Sequence, residues 1–309
     1  MMSKQTFLHI IQWSIAIAAC IFLVWEIATY DDYPALRASM QAMGWTEWIA
    51  IGACIVLMPV NMALEAWRWK TLASVVDSFN MSWKEAQRQV YYSKLAGIIT
   101  PWRLGEYPAR ALLMNDETSA ASPFNERSQG ELNDALWAKV LSMGAVGSAT
   151  MTAAIVIAGV MALVFNPSIM AKLGDSYLHA LAAVALVLTV GFALAPKALK
   201  KYAEVNGALV ITSIGQSLIR LLCWCVQLGL VLYALGAISN QPSVVSLLFI
   251  YYLLVTITPN VPIAEVGIRG AWAILIFGNM NAALAGVLLW TINTLLPCLI
   301  GLFLQKKSE

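Results

Sequence analysis

Residues 208–235 read ALVITSIGQSLIRLLCWCVQLGLVLYAL, an apolar run whose only charge is Arg220. A helix over such a run is roughly 42 Å long at 1.5 Å per residue. About 20 apolar residues are enough to cross a hydrocarbon core of ~30 Å. The run is therefore a membrane-spanning helix. Arg220, about a dozen residues into it, must face protein or water rather than lipid.

Similar runs occur at 9–28, 47–66, 137–165, 177–195 and 284–304. The 309-residue chain is 60% apolar and only 12% charged, with a mean hydropathy of +0.72; a soluble domain carries about 25% charged residues. The expected fold class is all-α: a single transmembrane domain over 1–309 with about six full spans. Small residues in the 137–165 run, among them Gly144, Gly147 and Ala153, suit close helix packing in lipid. Pro59 is expected to kink or open the second span. Trp67-Arg68-Trp69-Lys70 has the composition of a headgroup boundary, followed by a polar segment at 71–84. The leader run continues past Cys20 through Trp25, which favours a retained first span over a cleaved signal.

A net charge of +2 and the lack of a basic, aromatic-interleaved patch argue against nucleic acid. Cys20, Cys54, Cys223, Cys225 and Cys298 all lie in apolar runs and read as buried hydrophobes. The two histidines lack ligand partners at metal spacing, so neither metal nor cofactor is expected. Tryptophans near span ends read as an interfacial belt.

Two apolar segments, 85–99 and 243–257, are only 15 residues long. Each is about 22 Å as a helix, too short to cross upright. A Thr-Pro pair stops each one, and a second short helix follows, at 105–114 and 265–277. The pairs read as re-entrant hairpins, 85–114 and 243–279, with 115–133 as a polar surface loop. With a cytoplasmic N-terminus, this topology puts 11 Lys and Arg in cytoplasmic stretches and 2 outside. That split satisfies the positive-inside rule. Both termini are then cytoplasmic, and the hairpins enter from opposite sides as an inverted repeat.

The hairpin turns share a pattern. The first is Thr100-Pro101-Trp102-Arg103-Leu104-Gly105-Glu106, reaching Arg110; the second is Thr258-Pro259 through Pro262, then Glu265-Val266-Gly267-Ile268-Arg269. Each Glu-x-x-x-Arg pair shares a helix face. Transporters build midplane substrate sites from broken helices in inverted halves, and irregular backbone at that depth must line a cavity. Arg103, Glu106, Arg110, Glu265 and Arg269 are the candidate substrate-binding residues, joined by Arg220 with Glu65 as its candidate partner. Pro101, Gly105, Pro259, Pro262 and Gly267 are candidate hinges. The five motif charges sum to +1, which suits a monoanionic phosphate held bidentately by Arg. Glu26 and Lys94 read as snorkelling residues, and Lys139 as lying near a span end.

At these residues the chain resembles the flippase-type membrane region of lysylphosphatidylglycerol synthases and their stand-alone relatives. Pro101-Trp102-Arg103-Leu104-Gly105-Glu106 through Arg110 is similar to that family's Pro-x-Arg-x-Gly-acid-x-x-x-Arg run. Asn61 with Arg68-Trp69, and Gly267-Ile268-Arg269, resemble two further features. The family's Gly-Gly pair and late acid are replaced by Ile263-Ala264 and Gly270. The family's soluble aminoacyl-transfer domain is not found in this sequence, so aminoacyl-lipid synthesis is not expected. The resemblance implies a translocator in a bacterial inner membrane whose partner is an anionic or modified lipid, such as a phospholipid, a polyprenyl-phosphate carrier or a glycolipid. An intramembrane headgroup transferase, with Glu106 or Glu265 as base, and a non-catalytic assembly partner are the alternatives. Oligomeric state is left open, a homo-oligomer included.

Overall fold

The computed structural model describes residues 43–74, 81–98, 100, 103, 105–121, 126–165, 205–238, 244–258 and 265–305, with isolated positions 21, 37 and 41; over 114–136 and 304–305 only the backbone is described. Every element within these residues is helical: α1 Trp45–Ala73, α2 Trp83–Ile98, α3 Glu106–Ala121, α4 Glu126–Val164, α5 Gly207–Ala234, α6 Val244–Ile257, α7 Glu265–Phe277, α8 Met280–Trp290, a π-helical turn Thr291–Leu295, and α9 Leu296–Gln305. Among the described residues, four helical segments are long and apolar enough to cross a membrane: Trp45–Ala73, Trp137–Val164, Gly207–Ala234 and Met280–Phe303. The chain is a multi-pass helical membrane protein. The expected spans 177–195 and, apart from Ile21, 9–28 lie outside the described residues, as do Pro101, Pro259 and Pro262.

Polarity is distributed as lipid requires. Ile49, Val56 and Val60 on α1, Ile157 and Val160 on α4, and Leu222 and Val226 on α5 are exposed, while Glu65, Lys94, Glu106, Arg110, Arg220 and Glu265 are buried. Apolar flanks around a charged interior are costly in water and favourable in a bilayer, where charges must face protein or a wet cavity.

Helix ends follow local chemistry. Asn206 Oδ1 accepts from Leu209 N at 2.8 Å and Asn279 Oδ1 from Ala282 N at 2.9 Å, capping α5 and α8. Gly236 and Gly278, at φ +64° and +77°, close α5 and α7 in the left-handed region where a Cβ is disfavoured. Pro297 has no N–H for the Asn293 carbonyl, and the helix widens into the π turn just before it.

The halves α1–α4 and α5–α9 pack by the same rules. α1 lies along α5; α2 packs on α9 as α6 packs on α4, α3 on α4 as α7 on α8, and α1 on α4 as α5 on α8. α1 and α5 run antiparallel, because Gln216 meets Thr71, Arg220 meets Asn61, and Gln227 meets the Cys54 carbonyl. Glycines at matching places allow the close crossings. A Cβ on Gly159 would meet Leu253 of α6 at 2.6 Å, and one on Gly301 would meet the Tyr91 carbonyl of α2 at 2.4 Å. Gly301→Val is therefore expected to cost about 1–3 kcal/mol by overpacking. Its monodisperse peak on size-exclusion in detergent should shrink, while Gly52→Ala, with open space around it, should elute as the parent does.

Three expectations are corrected. Residues 115–133 are largely helical rather than a surface loop: α3 extends to Ala121 and α4 starts at Glu126. Ala120, Ala121, Glu126 and Glu131 are good helix formers whatever their polarity. α1 runs unbroken past Pro59 to Ala73 and buries Arg68 and Trp69, so the Trp67–Lys70 cluster is not a simple boundary. The last span begins at Met280 rather than 284 and carries the π turn.

Candidate functional site

Asn61, Glu65 and Arg68 recur at helical spacing on one buried face of α1. The Glu65 carboxylate binds cations from three other helices. Its Oε1 accepts from Arg110 Nη2 at 2.6 Å and Lys94 Nζ at 3.1 Å; its Oε2 accepts from Arg220 Nη2 at 2.5 Å. Lys94 also donates to both oxygens of Glu106, at 2.9 and 3.0 Å. Arg110 donates to Glu106 at 3.1 Å and to Ser93 at 3.0 Å, and lies over the Trp69 ring at 4.9 Å. Arg220 donates to Asn61 Oδ1 at 2.9 Å and stacks over Trp224 at 4.8 Å. Arg220 sits midway along α5, which places this cluster deep within the span.

The second motif closes on Glu265. Its Oε1 accepts from Arg269 Nε at 2.8 Å and Nη2 at 2.6 Å, and its Oε2 accepts from Arg103 Nη2 at 2.8 Å. Arg103 comes from the first motif, so this ion pair joins the two motifs directly. The same nitrogen of Arg103 donates to Thr294 Oγ1 in the π turn at 2.9 Å. Arg103 has φ +57°, a left-handed conformation that costs a non-glycine residue about 1–2 kcal/mol. Its two side-chain bonds hold it there.

Both clusters line one cavity of about 250 Å³, whose wall includes Glu65, Arg68, Lys94, Arg103, Glu106, Arg220, Glu265 and Arg269. Tyr107, hydrogen-bonded to Ser148, and the side chains of Met151, Thr152 and Ile155 on α4 form part of it. Tyr252, Val255 and Thr256 of α6 and Trp290 and Asn293 of the last span complete it. A single water needs roughly 10–15 Å³ by the same measure, so the space admits a polyatomic ligand.

All seven residues singled out as substrate-binding are thus brought together, and Arg220 is indeed the partner of Glu65. Arg110 is set behind the wall and acts through Glu65 and Glu106. Of the hinge candidates described, Gly105 packs against the end of α2, where a Cβ would lie 2.4 Å from the Ala96 carbonyl; Gly267 is buried in α7.

Lys94 is a correction. It does not snorkel but is buried, 4% exposed, between two carboxylates. The spacing held a signal: Lys94 lies six positions before Thr100 and Glu106 six after it, and with α2 packed on α3 the two side chains meet. Arg68, which in the sequence stands out with Asn61 and Trp69 only as a feature of the resemblance, also belongs to the site. It donates to the Gly147 carbonyl at 3.1 Å and Ser217 Oγ at 3.0 Å. Trp69 is buried and hydrogen-bonded to Gln89 at 2.8 Å, not part of an interfacial belt. With Lys94, Arg68, Arg220 and Glu65 included, six cations face three carboxylates among the described residues, a surplus of three rather than one.

The halves are alike in placement and unlike in chemistry. A shift of 159 positions takes Glu106 to Glu265, Arg110 to Arg269, Asn61 to Arg220 and Glu65 to Trp224. The Glu65–Arg220 pair has its counterpart in the 2.8 Å hydrogen bond from Trp224 Nε1 to Asn61 Oδ1. The carboxylate at the centre of the hub, Glu65, therefore comes from the first half, and the second half contributes Arg220 to it.

No protein-family model matches the chain, and no curated protein matches it. The resemblance to the flippase-type region rests on the motif residues alone.

Proposed function

We propose that the chain is a lipid translocator whose cavity holds an anionic headgroup at mid-membrane while the acyl chains remain in the bilayer. The observation that carries this reading is the convergence of both Glu-x-x-x-Arg motifs on one cavity with more cations than carboxylates. Excess guanidinium groups within a span have no favourable partner in hydrocarbon; a phosphate, gripped by two parallel hydrogen bonds, is the natural one. Antiparallel α1 and α5 support a re-entrant reading of α2–α3 and α6–α7, each hairpin entering from its own side. Alternating access then follows as one half rocks against the other about the Arg103–Glu265 contact. Apolar side chains from α4 and α6 on the cavity wall suit a ligand that keeps its tails in lipid.

Proteoliposomes with a headgroup-anionic fluorescent lipid, bleached from outside, test this directly. Protein-dependent transfer between leaflets is expected, reduced about ten-fold or more by Arg269→Ala, since truncating one partner of a buried charge pair costs about 2–5 kcal/mol. Absence of transfer for every anionic lipid class would rule the reading out.

A further inference from the structure

We infer that the headgroup received by this cavity carries at least two negative charges, as a phosphomonoester or pyrophosphate group does, rather than the single charge of a phosphodiester. The inference rests on the translocator reading and specifies its cargo.

Charge balance carries it. Among the described residues the site holds Arg68, Lys94, Arg103, Arg110, Arg220 and Arg269 against Glu65, Glu106 and Glu265. Arginine stays protonated in proteins, and protonating any carboxylate would widen the surplus. The connectors 99–104 and 259–264 contain no Asp or Glu that could offset them. The carboxylates are already shared: Glu65 binds three cations, while Glu106 and Glu265 bind two each.

Two donors point to a missing acceptor. Arg68 is buried on the wall, and among the described residues its hydrogen-bond acceptors are a carbonyl and a hydroxyl, with no carboxylate. Trp290, also on the wall, has a buried Nε1–H with no acceptor among the described residues, a rare condition unless a ligand or water supplies one. One diester charge leaves two of the three surplus charges unmatched. A phosphomonoester brings about −1.5 to −2 at neutral pH with three acceptor oxygens, and a pyrophosphate more.

The full chain in detergent at pH 7.5 supplies the test, with quenching of intrinsic tryptophan fluorescence as readout, since Trp224 and Trp290 line the site. Dioleoyl phosphatidic acid, dioleoyl phosphatidylglycerol and inorganic pyrophosphate are titrated separately. Phosphatidic acid is expected to bind about ten-fold tighter than phosphatidylglycerol, a factor equivalent to 1.4 kcal/mol. Pyrophosphate should compete with it, and Arg68→Gln should narrow the ratio between the lipids to under about three-fold. If Arg68→Gln does not fold, Arg103→Gln, at the more exposed end of the site, is read the same way. Equal affinities for the two lipids would overturn the inference and leave the lipid reading intact. Pyrophosphate binding with no binding of either lipid would instead overturn the lipid reading.

Discussion

Glu65→Ala is expected to lose about 3–5 kcal/mol of stability, the cost of removing one partner from a buried charge cluster. Lys94, Arg110 and Arg220 all donate to this carboxylate, and all are buried with it. Its removal strands three cations from three helices. Glu106 is already shared by Lys94 and Arg110, and Arg220 would keep only Asn61 and the face of Trp224. Glu65→Gln should fall short of the parent as well, because an amide keeps the shape and loses the charge. Glu65→Ala combined with Arg220→Leu should recover part of the loss, since contacting residues are not additive. Detergent-to-SDS unfolding followed by tryptophan fluorescence reads the series. A midpoint for Glu65→Ala equal to that of the parent would mean that Glu65 does not hold the four helices together.

The second large effect is on movement. Glu265→Ala frees Arg103 and Arg269 together, because both donate to that carboxylate. The site's charge surplus rises by one, and two guanidinium groups become available to phosphate. Binding of an anionic headgroup is expected to tighten. Translocation is expected to slow by about 30-fold or more, as about 2 kcal/mol or more of coupling between the halves is lost and release is opposed. Measuring lipid affinity and leaflet transfer on one preparation separates the two. Wild-type transfer in this variant would show that the Arg103–Glu265 contact has no part in the cycle.

What was legible in the sequence was what the bilayer dictates. The run around Arg220 is too long and apolar for another environment, and its one charge had to be partnered inside. The short helices stopped by Thr-Pro, and the Glu-x-x-x-Arg pairs after them, were visible because the pattern occurs twice. Contacts between distant segments were not legible. Glu65 is a candidate partner for Arg220 only as another charge within a span, since nothing local ties it to a residue 155 positions away, and nothing at all points from Arg103 to Glu265, 162 away. Arg68 was hidden by its neighbours, since Trp67-Arg68-Trp69-Lys70 has the make-up of a headgroup zone. The recurrence of Asn61, Glu65 and Arg68 on one helical face was the contrary signal. Lys94 has the long side chain that can reach water, yet its place six positions before Thr100 sets it against Glu106. The polar stretch 115–133 has the polarity of a loop but carries good helix formers, and their propensity prevails at the end of α3 and the start of α4.

Everything above depends on a wet, positively charged cavity shared by the two halves. The most direct measurement is thiol labelling of Thr152→Cys in the first half and Thr256→Cys in the second, in a chain without its native cysteines. Both positions line the cavity. A small anionic methanethiosulfonate should label both, faster than its cationic analogue of similar size, with the preference fading at high salt. Labelling of neither position, or equal rates for both reagents at every salt concentration, would contradict the account.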